Sequence, residues 1–245
     1  MASKVLVVTG GGRGIGAETC VLAARRGWDV CVNYAINATR AEETVARCRD
    51  AGARAVAVQA DVASETDVAR LFAAADELGP LGGLVNSAAD TGPRGRLEDL
   101  DDVAGVERVL AVNVIGTLLC CRAAVRRMST RFGGNGGAIV NLSSAAARMG
   151  AAGVWIGYAG SKGAVDTITW GLAQEVAADG IRVNAVSPGI IDTEMQPRDR
   201  LTSGIATVPL GRAGEADEVA AAILFLLSGD ASYIAGAKLE VGGGR

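Results

Sequence analysis

Thr9-Gly10-Gly11-Gly12-Arg13-Gly14-Ile15-Gly16 follows a short apolar run, residues 4–9, and leads into a helical pattern over residues 16–26. A strand, a glycine-rich turn and a helix in that order decide the fold. Glycine turns the backbone tightly and lets a pyrophosphate approach with no Cβ in the way. The helix behind it offers free N–H groups and a partial positive charge to phosphate oxygens. Two registers fit a dinucleotide-binding turn: Gly10, Gly14 and Gly16, or Gly12, Gly14 and Ala17. The bland alternative is a tight strand-to-helix turn that holds nothing.

Outward from this turn the same alternation repeats. Strands are expected at residues 29–34, 54–60, 81–87, 137–143, 181–187 and 237–241. Helices are expected at 39–50, 65–78, 101–131, 156–178 and 215–228, and residues 188–214 show no clear period. Strand–helix units of this length specify an α/β fold, a parallel sheet with helices on both faces. The strands read as near-continuous Val, Ile, Leu and Ala, as a sheet covered on both sides requires. No linker or repeat divides the 245 residues, so residues 1–245 read as one domain.

Composition narrows the chemistry. Hydrophobic residues are 49% and charged residues 21%, which argues against extended disorder. A net charge of −3 argues against a nucleic-acid surface. The chain contains no histidine, which removes Ser-His-Asp triads, Cys-His dyads and His-ligated zinc; no metal is expected. Proton transfer near neutral pH then falls to Tyr, Lys, Cys or a carboxylate. Cys20, Cys31, Cys48, Cys120 and Cys121 form no CxxC pair and read as small buried thiols in a reducing, cytoplasmic setting. The N-terminal residues lack the pattern of a signal peptide, and no apolar run approaches transmembrane length, so no membrane partner is expected.

The second strand ends Val32-Asn33-Tyr34-Ala35-Ile36-Asn37, with no acid to accept from the adenosine ribose hydroxyls of NAD. Arg13 in the glycine turn can pair with a 2′-phosphate at two points, with Arg40 as a second contributor. Both features favour NADP(H).

Tyr158 and Lys162 are four apart and share a helix face. A phenol with a reference pKa of about 10 trades protons poorly at neutral pH. An ammonium beside it favours the phenolate and lowers that value. Ser143-Ser144 end the fifth strand and can reach the same cleft, since ligands of open parallel sheets bind beyond the carboxyl ends of the strands.

With these residues in place, the sequence resembles the short-chain dehydrogenases/reductases over essentially its whole length. The resemblance rests on Thr9 to Gly16, Asp61-Val62, Asn86-Ser87-Ala88-Ala89, Asn113, Ser143-Ser144, Tyr158 to Lys162, and Asn184-Ala185-Val186-Ser187-Pro188-Gly189. It implies a three-layer Rossmann fold with a doubly wound, seven-stranded parallel sheet, commonly assembled as a homotetramer. It also implies an NADP(H)-dependent oxidoreductase interconverting a ketone or aldehyde and an alcohol. By resemblance Tyr158 is the general acid/base. Lys162 holds the nicotinamide ribose and lowers the Tyr158 pKa, Ser144 bonds the substrate oxygen, and Asn113 holds a water in a proton relay. Asp61 and Val62 flank the adenine, Asn86 and Ala88 line the cofactor, and Ile191 and Thr193 meet its carboxamide end. The expected cofactor-binding set is then Gly10, Arg13, Gly14, Ile15, Gly16, Asn33, Tyr34, Asp61, Val62, Asn86, Ala88, Tyr158, Lys162, Pro188, Gly189, Ile191 and Thr193.

The chain departs from the family pattern in three places. Asn86-Ser87-Ala88-Ala89 replaces the usual Asn-Asn-Ala-Gly. Ser144 lies one residue further from Tyr158 than is commonest, which calls for a bulge within 145–157; bacterial members resembling glucose dehydrogenase share this spacing. The proline customary before Tyr158 is missing. Ser143 stays second candidate for the substrate-binding serine. None of these changes removes a proton-transfer group.

Residues 89–97, 145–157 and 191–211 set the substrate. Met149, Val154, Trp155, Met195 and Ile205 suggest a partly apolar pocket, while Arg94, Arg96, Arg198 and Arg200 leave room for an anionic group. Two other functions fit the same scaffold: a dinucleotide-binding regulatory protein without turnover, and an epimerase or dehydratase. The complete set Asn113, Ser144, Tyr158 and Lys162 favours turnover. An NADPH-linked member is expected to run as a reductase, with a small-molecule carbonyl or alcohol as its partner. The resemblance places subunit contacts on the helices at 101–131 and 156–178 and in the C-terminal segment.

Overall fold

Four consecutive strand residues, Val5 to Val8, are fully buried, which happens only when both faces of a sheet are covered. The computed structural model describes residues 4–194 and 198–245, with 198–200 described by backbone alone. Met195 and the side chains of Arg198 and Arg200, named above as pocket candidates, lie outside the described residues. The strands are β1 (Val5–Thr9), β2 (Asp29–Tyr34), β3 (Ala55–Gln59), β4 (Leu81–Asn86), β5 (Gly137–Leu142), β6 (Ile181–Pro188) and β7 (Lys238–Val241). They form one seven-stranded sheet in the order β3-β2-β1-β4-β5-β6-β7, and every pairing is parallel. The order reverses between β1 and β4, the switch point where doubly wound sheets open a ligand crevice.

The helices are α1 (Gly14–Arg25), α2 (Ala38–Asp50), α3 (Glu65–Leu78), α4 (Val103–Leu110), α5 (Thr117–Met128), α6 (Ala145–Met149), α7 (Ile156–Val176), α8 (Arg198–Ile205) and α9 (Ala216–Leu227). Strand side chains alternate between faces and so build two cores. Leu6 and Val8 join the core under α1, α2 and α9, whereas Val5 and Val7 join the core under α3, α5 and α7. The edge strand β7, Lys-Leu-Glu-Val, carries charges that discourage further strand pairing.

Three features bear on the site. The helix expected over 101–131 begins at Val103 and passes through a π-helical stretch, Ala111–Gly116, before α5. Such stretches form where tertiary contacts displace the regular ladder. Here Val62 packs so closely on Gly116 that a Cβ there would lie 2.7 Å from Val62 Cγ2. Contrary to the expectation above, Val103–Met128 as a continuous rod is long and apolar enough to cross a membrane. Its Val109, Val112, Cys120, Cys121, Ala124 and Met128 are instead buried within the domain, and Arg122 and Arg127 pair with Glu65 and Asp76 of α3. The extra residue before Tyr158 is taken up after α6. Gly150 and Gly153 adopt positive φ, and so does Ala151 at φ 47°, where a side chain is strained.

Candidate active site

The carboxyl ends of β1, β4, β5 and β6 converge on one crevice. At its β1 end the site is made of backbone. A Cβ on Gly16 would lie 2.3 Å from the Gly10 carbonyl oxygen, and one on Gly10, at φ 63°, would lie 2.9 Å from Ala88. Glycine is therefore required at both positions. Thr9 fastens the neighbouring strand end, its hydroxyl accepting from the Ser87 and Ala88 N–H groups at 3.0 and 3.1 Å. Gly14 and Ile15 open α1. No acidic residue lies in its first turn, so the positive helix end faces the crevice without a competing anion of its own. Thr193 lies over this turn, its methyl 3.6 Å from where a Gly14 Cβ would sit. The glycine cradle and open helix terminus fit a dinucleotide pyrophosphate, and the close contacts fall at Gly10 and Gly16.

Arg13 stands exposed as the N-cap of α1. Arg40, in the first turn of α2, pairs with Glu194 at 2.9 Å across the same rim. Tyr34 ends β2 half-buried. The Asn33 side chain is engaged within the protein. It is buried, accepts from Gly10 N–H at 3.2 Å and donates to the Ala60 carbonyl at 2.9 Å. It braces the glycine turn against β3 and presents its amide to the protein. Asp61 holds its carboxylate at the end of β3, where Arg108 of α4 donates to both oxygens at 2.8 and 3.1 Å. The Arg108 hydrogen bonds hold the Asp61 carboxyl below its ordinary range. Val62 is buried beside it.

Asn86 also turns into the protein. It donates to Asn141 Oδ1 at 2.8 Å and to Cys121 Sγ at 3.3 Å, and Asn141 donates to Thr169 on α7 at 2.9 Å. This buried polar chain ties β4, β5, α5 and α7 together beneath the crevice floor. What Asn86 can offer a ligand is backbone, as can Ala88. On the far side, Pro188 ends β6, Gly189 donates to the Val241 carbonyl at 3.0 Å, and Ile191 is buried in a bridge to Gly214.

At the β5–α7 end the site is made of side chains. Lys162 is buried, and its Nζ donates to the Leu142 carbonyl at 2.6 Å while lying 5.7 Å from the Tyr158 ring centroid. Burial pushes the ammonium down to about 8, against a pull upward from Asp166. Burial pushes the Tyr158 phenol up, and the Ser144 hydroxyl beside it pulls the other way. This reverses the expected direction for the phenol. Desolvation is the larger cause, and it favours the neutral phenol over the phenolate. Ser143 and Ser144 separate cleanly. The Ser143 hydroxyl is buried and donates to the Lys162 carbonyl at 3.4 Å, whereas Ser144 caps α6 and faces the phenol.

Asn113 sits in the π-helical stretch. Its carbonyl oxygen accepts from Asp90 N–H at 2.8 Å, and its NH2 donates to the Asp90 carbonyl at 2.8 Å and to Ser161 Oγ at 2.9 Å. Ser161 donates in turn to the Tyr158 carbonyl at 2.7 Å. Asn113 thus pins the loop after β4 to the turn of α7 that carries the tyrosine. Asp90, Arg108 and Ser161 were not anticipated. Only Ser161, inside the Tyr-to-Lys segment, carried a signal in its spacing.

A family model described as Enoyl-(Acyl carrier protein) reductase matches residues 10–245. The chain is 46% identical to an uncharacterized oxidoreductase, YgfF, of Escherichia coli (strain K12), over 98% of this chain and 99% of that one. It is 42% identical to cis-4-hydroxycyclohexanecarboxylate dehydrogenase of Sinomonas cyclohexanicum, over 99% of this chain and 96% of that one. Among solved structures, a short chain dehydrogenase from Burkholderia cenocepacia J2315 in complex with NADP is similar with a TM-score of 0.92. That match has 35% identity over 100% of this chain and 98% of the other.

Proposed function

Because the chain belongs to the short-chain dehydrogenase/reductase family, we propose that it is an NADP(H)-dependent oxidoreductase interconverting a ketone or aldehyde and an alcohol. The observation that carries this reading is the meeting of Tyr158, Lys162 and Ser144 at the end of a crevice whose other end is a glycine cradle. When bound, NADP(H) supplies or accepts the hydride. The chain supplies position and a proton. In the reducing direction negative charge develops on the carbonyl oxygen, and the Ser144 and Tyr158 hydroxyls donate to it. Tyr158 Oη gives up its proton to that oxygen as the alcohol forms, and its raised phenol suits a donor. Lys162, anchored at Leu142, holds the ribose hydroxyls and steadies the phenolate left behind. Asn113 keeps the tyrosine's turn in register with the loop after β4.

Arg13 favours NADP(H) over NAD(H): an exposed guanidinium at the rim, with no acid at the end of β2, attracts a 2′-phosphate. The substrate is a partly apolar small carbonyl compound or alcohol. In the segment before Tyr158, Met149 and Ile156 are exposed, with Val154 and Trp155 half-buried between them. A screen of ketones, aldehydes and alcohols with both cofactors, read at 340 nm, tests the reading. Turnover with NADPH on at least one carbonyl compound is expected, and a protein that binds NADPH yet converts nothing would be a regulatory one.

The protein assembles as a homotetramer in this reading. Leu110, Ile115 and Leu118 on the α4–α5 rod, Trp170 on α7, Phe225 on α9 and Tyr233 are large apolar side chains left exposed. Light scattering is expected to return about four chain masses, and a single-chain mass would remove that part. Five free, buried cysteines suit the cytoplasm.

A further inference from the structure

The chain has three lysines, Lys4, Lys162 and Lys238, against 21 arginines. One carboxylate, Asp166, pairs with Lys238 and also acts on the charge of Lys162. Asp166 lies one helical turn after Lys162 on α7, and its Oδ2 accepts from Lys238 Nζ at 3.2 Å. Lys238 stands on the edge strand β7, opposite Ala185 of β6, and reaches Glu240 Oε1 at 3.4 Å. The other oxygen, Asp166 Oδ1, is buried with no hydrogen-bond partner. An unbonded buried carboxylate oxygen is costly unless a nearby positive charge offsets it. Lysine is also the basic residue whose charge a protein can adjust, which arginine does not permit.

The surroundings of Lys162 leave few other sources of charge. On α7 itself the titratable neighbours are Tyr158 and Asp166. From β5 come the Leu142 carbonyl and the Ser143 hydroxyl. Ser187 of β6 is fully buried, on the sheet face that packs against α7, and its hydroxyl is also unpartnered. From β7 come Lys238 and Glu240, and from the π-helical stretch the neutral Asn113 amide. Asp166 is the nearest anion on the lysine's own helix, and Lys238 is the cation that tempers it.

We propose that Asp166, braced by Lys238, is a positioning residue that keeps Lys162 in its ammonium form and so sets how alkaline the medium can become before the site loses its cation. The proposal deepens the function above and rests on Lys162 serving the cofactor ribose. The sign follows from Coulomb's law. A carboxylate one turn away favours the ammonium that burial disfavours, and a second ammonium on that carboxylate weakens the effect.

Three lysines make the test direct. Protein carrying 13C-labelled lysine gives three side-chain signals, and Lys162 is assigned from Lys162→Arg. In the parent its titration is expected near 8. Asp166→Asn is expected to move the midpoint down by about half a unit or more, and Lys238→Met to move it up. Asp166→Glu restores the parent value. The alkaline limb of NADPH binding, followed by nucleotide fluorescence, moves the same way in each variant. Opposite shifts cannot come from a general loosening of the helix. Midpoints that stay put, or move together, overturn the proposal. Should Asp166→Asn fail to fold, the upward shift with Lys238→Met decides alone. A parent that binds no NADPH at all sinks the functional reading, and the lysine titration still answers the electrostatic question.

Discussion

At the β1–α1 turn this protein builds its site from backbone, and at the β5–α7 end it builds it from side chains around a buried lysine. The first end works by leaving atoms out: Gly10 and Gly16 are needed because any Cβ would strike the Ala88 backbone or the Gly10 carbonyl. The second works by putting charge where water cannot reach, with Lys162 buried, bonded to Leu142, and facing the Tyr158 ring. A steric site fails all at once when a methyl group is added. An electrostatic site fails by degrees, through shifted titrations and altered rates, while its shape survives.

Gly16→Ala is the hardest blow to the contrast. The new methyl has backbone on its far side, so the turn must open. We expect NADPH binding to be lost and stability to fall by about 2–3 kcal/mol, read from urea unfolding. A variant that binds normally would show that the turn is not the cradle described. A smaller effect is expected from Arg13→Ser, which changes charge at the steric end. The preference for NADPH over NADH should fall about tenfold, or roughly 1.4 kcal/mol, the scale of one exposed charge-assisted contact. Direct titration of both nucleotides checks it, and an unchanged preference would move the 2′-phosphate contact to Arg40 or elsewhere.

The two ends were unequally legible in the amino-acid sequence. Apolar runs such as Val5 to Val8, and the glycine turn, are local, so strands, order of elements and cradle could be read along the chain. Tyr158 and Lys162 could be paired by helical spacing, but the direction of the phenol's shift could not. It depends on burial in the tertiary structure and on Ser144 standing beside the ring. Asn33 and Asp61 look like ligand contacts in a linear reading, which does not show the protein partners that hold their side chains: Gly10 and Ala60 for one and Arg108 for the other, 23 to 47 positions away. The π-helical stretch was invisible because nothing local in Ala111–Gly116 marks a π turn; the contact of Val62 on Gly116 belongs to the tertiary structure. Asp166 was in plain view at four residues from Lys162, but Lys238, which gives it meaning, is 72 positions further on.

The electrostatic end carries the chemistry, and one substitution isolates it. Tyr158→Phe removes the phenolic hydroxyl and keeps the ring. NADPH titration beside turnover at 340 nm, on whichever carbonyl compound the screen returns, separates binding from proton transfer. The expected result is near-parental NADPH affinity with turnover reduced at least about 100-fold. A phenylalanine variant that turns over within a few-fold of the parent would contradict the account, because the proton would then come from another group.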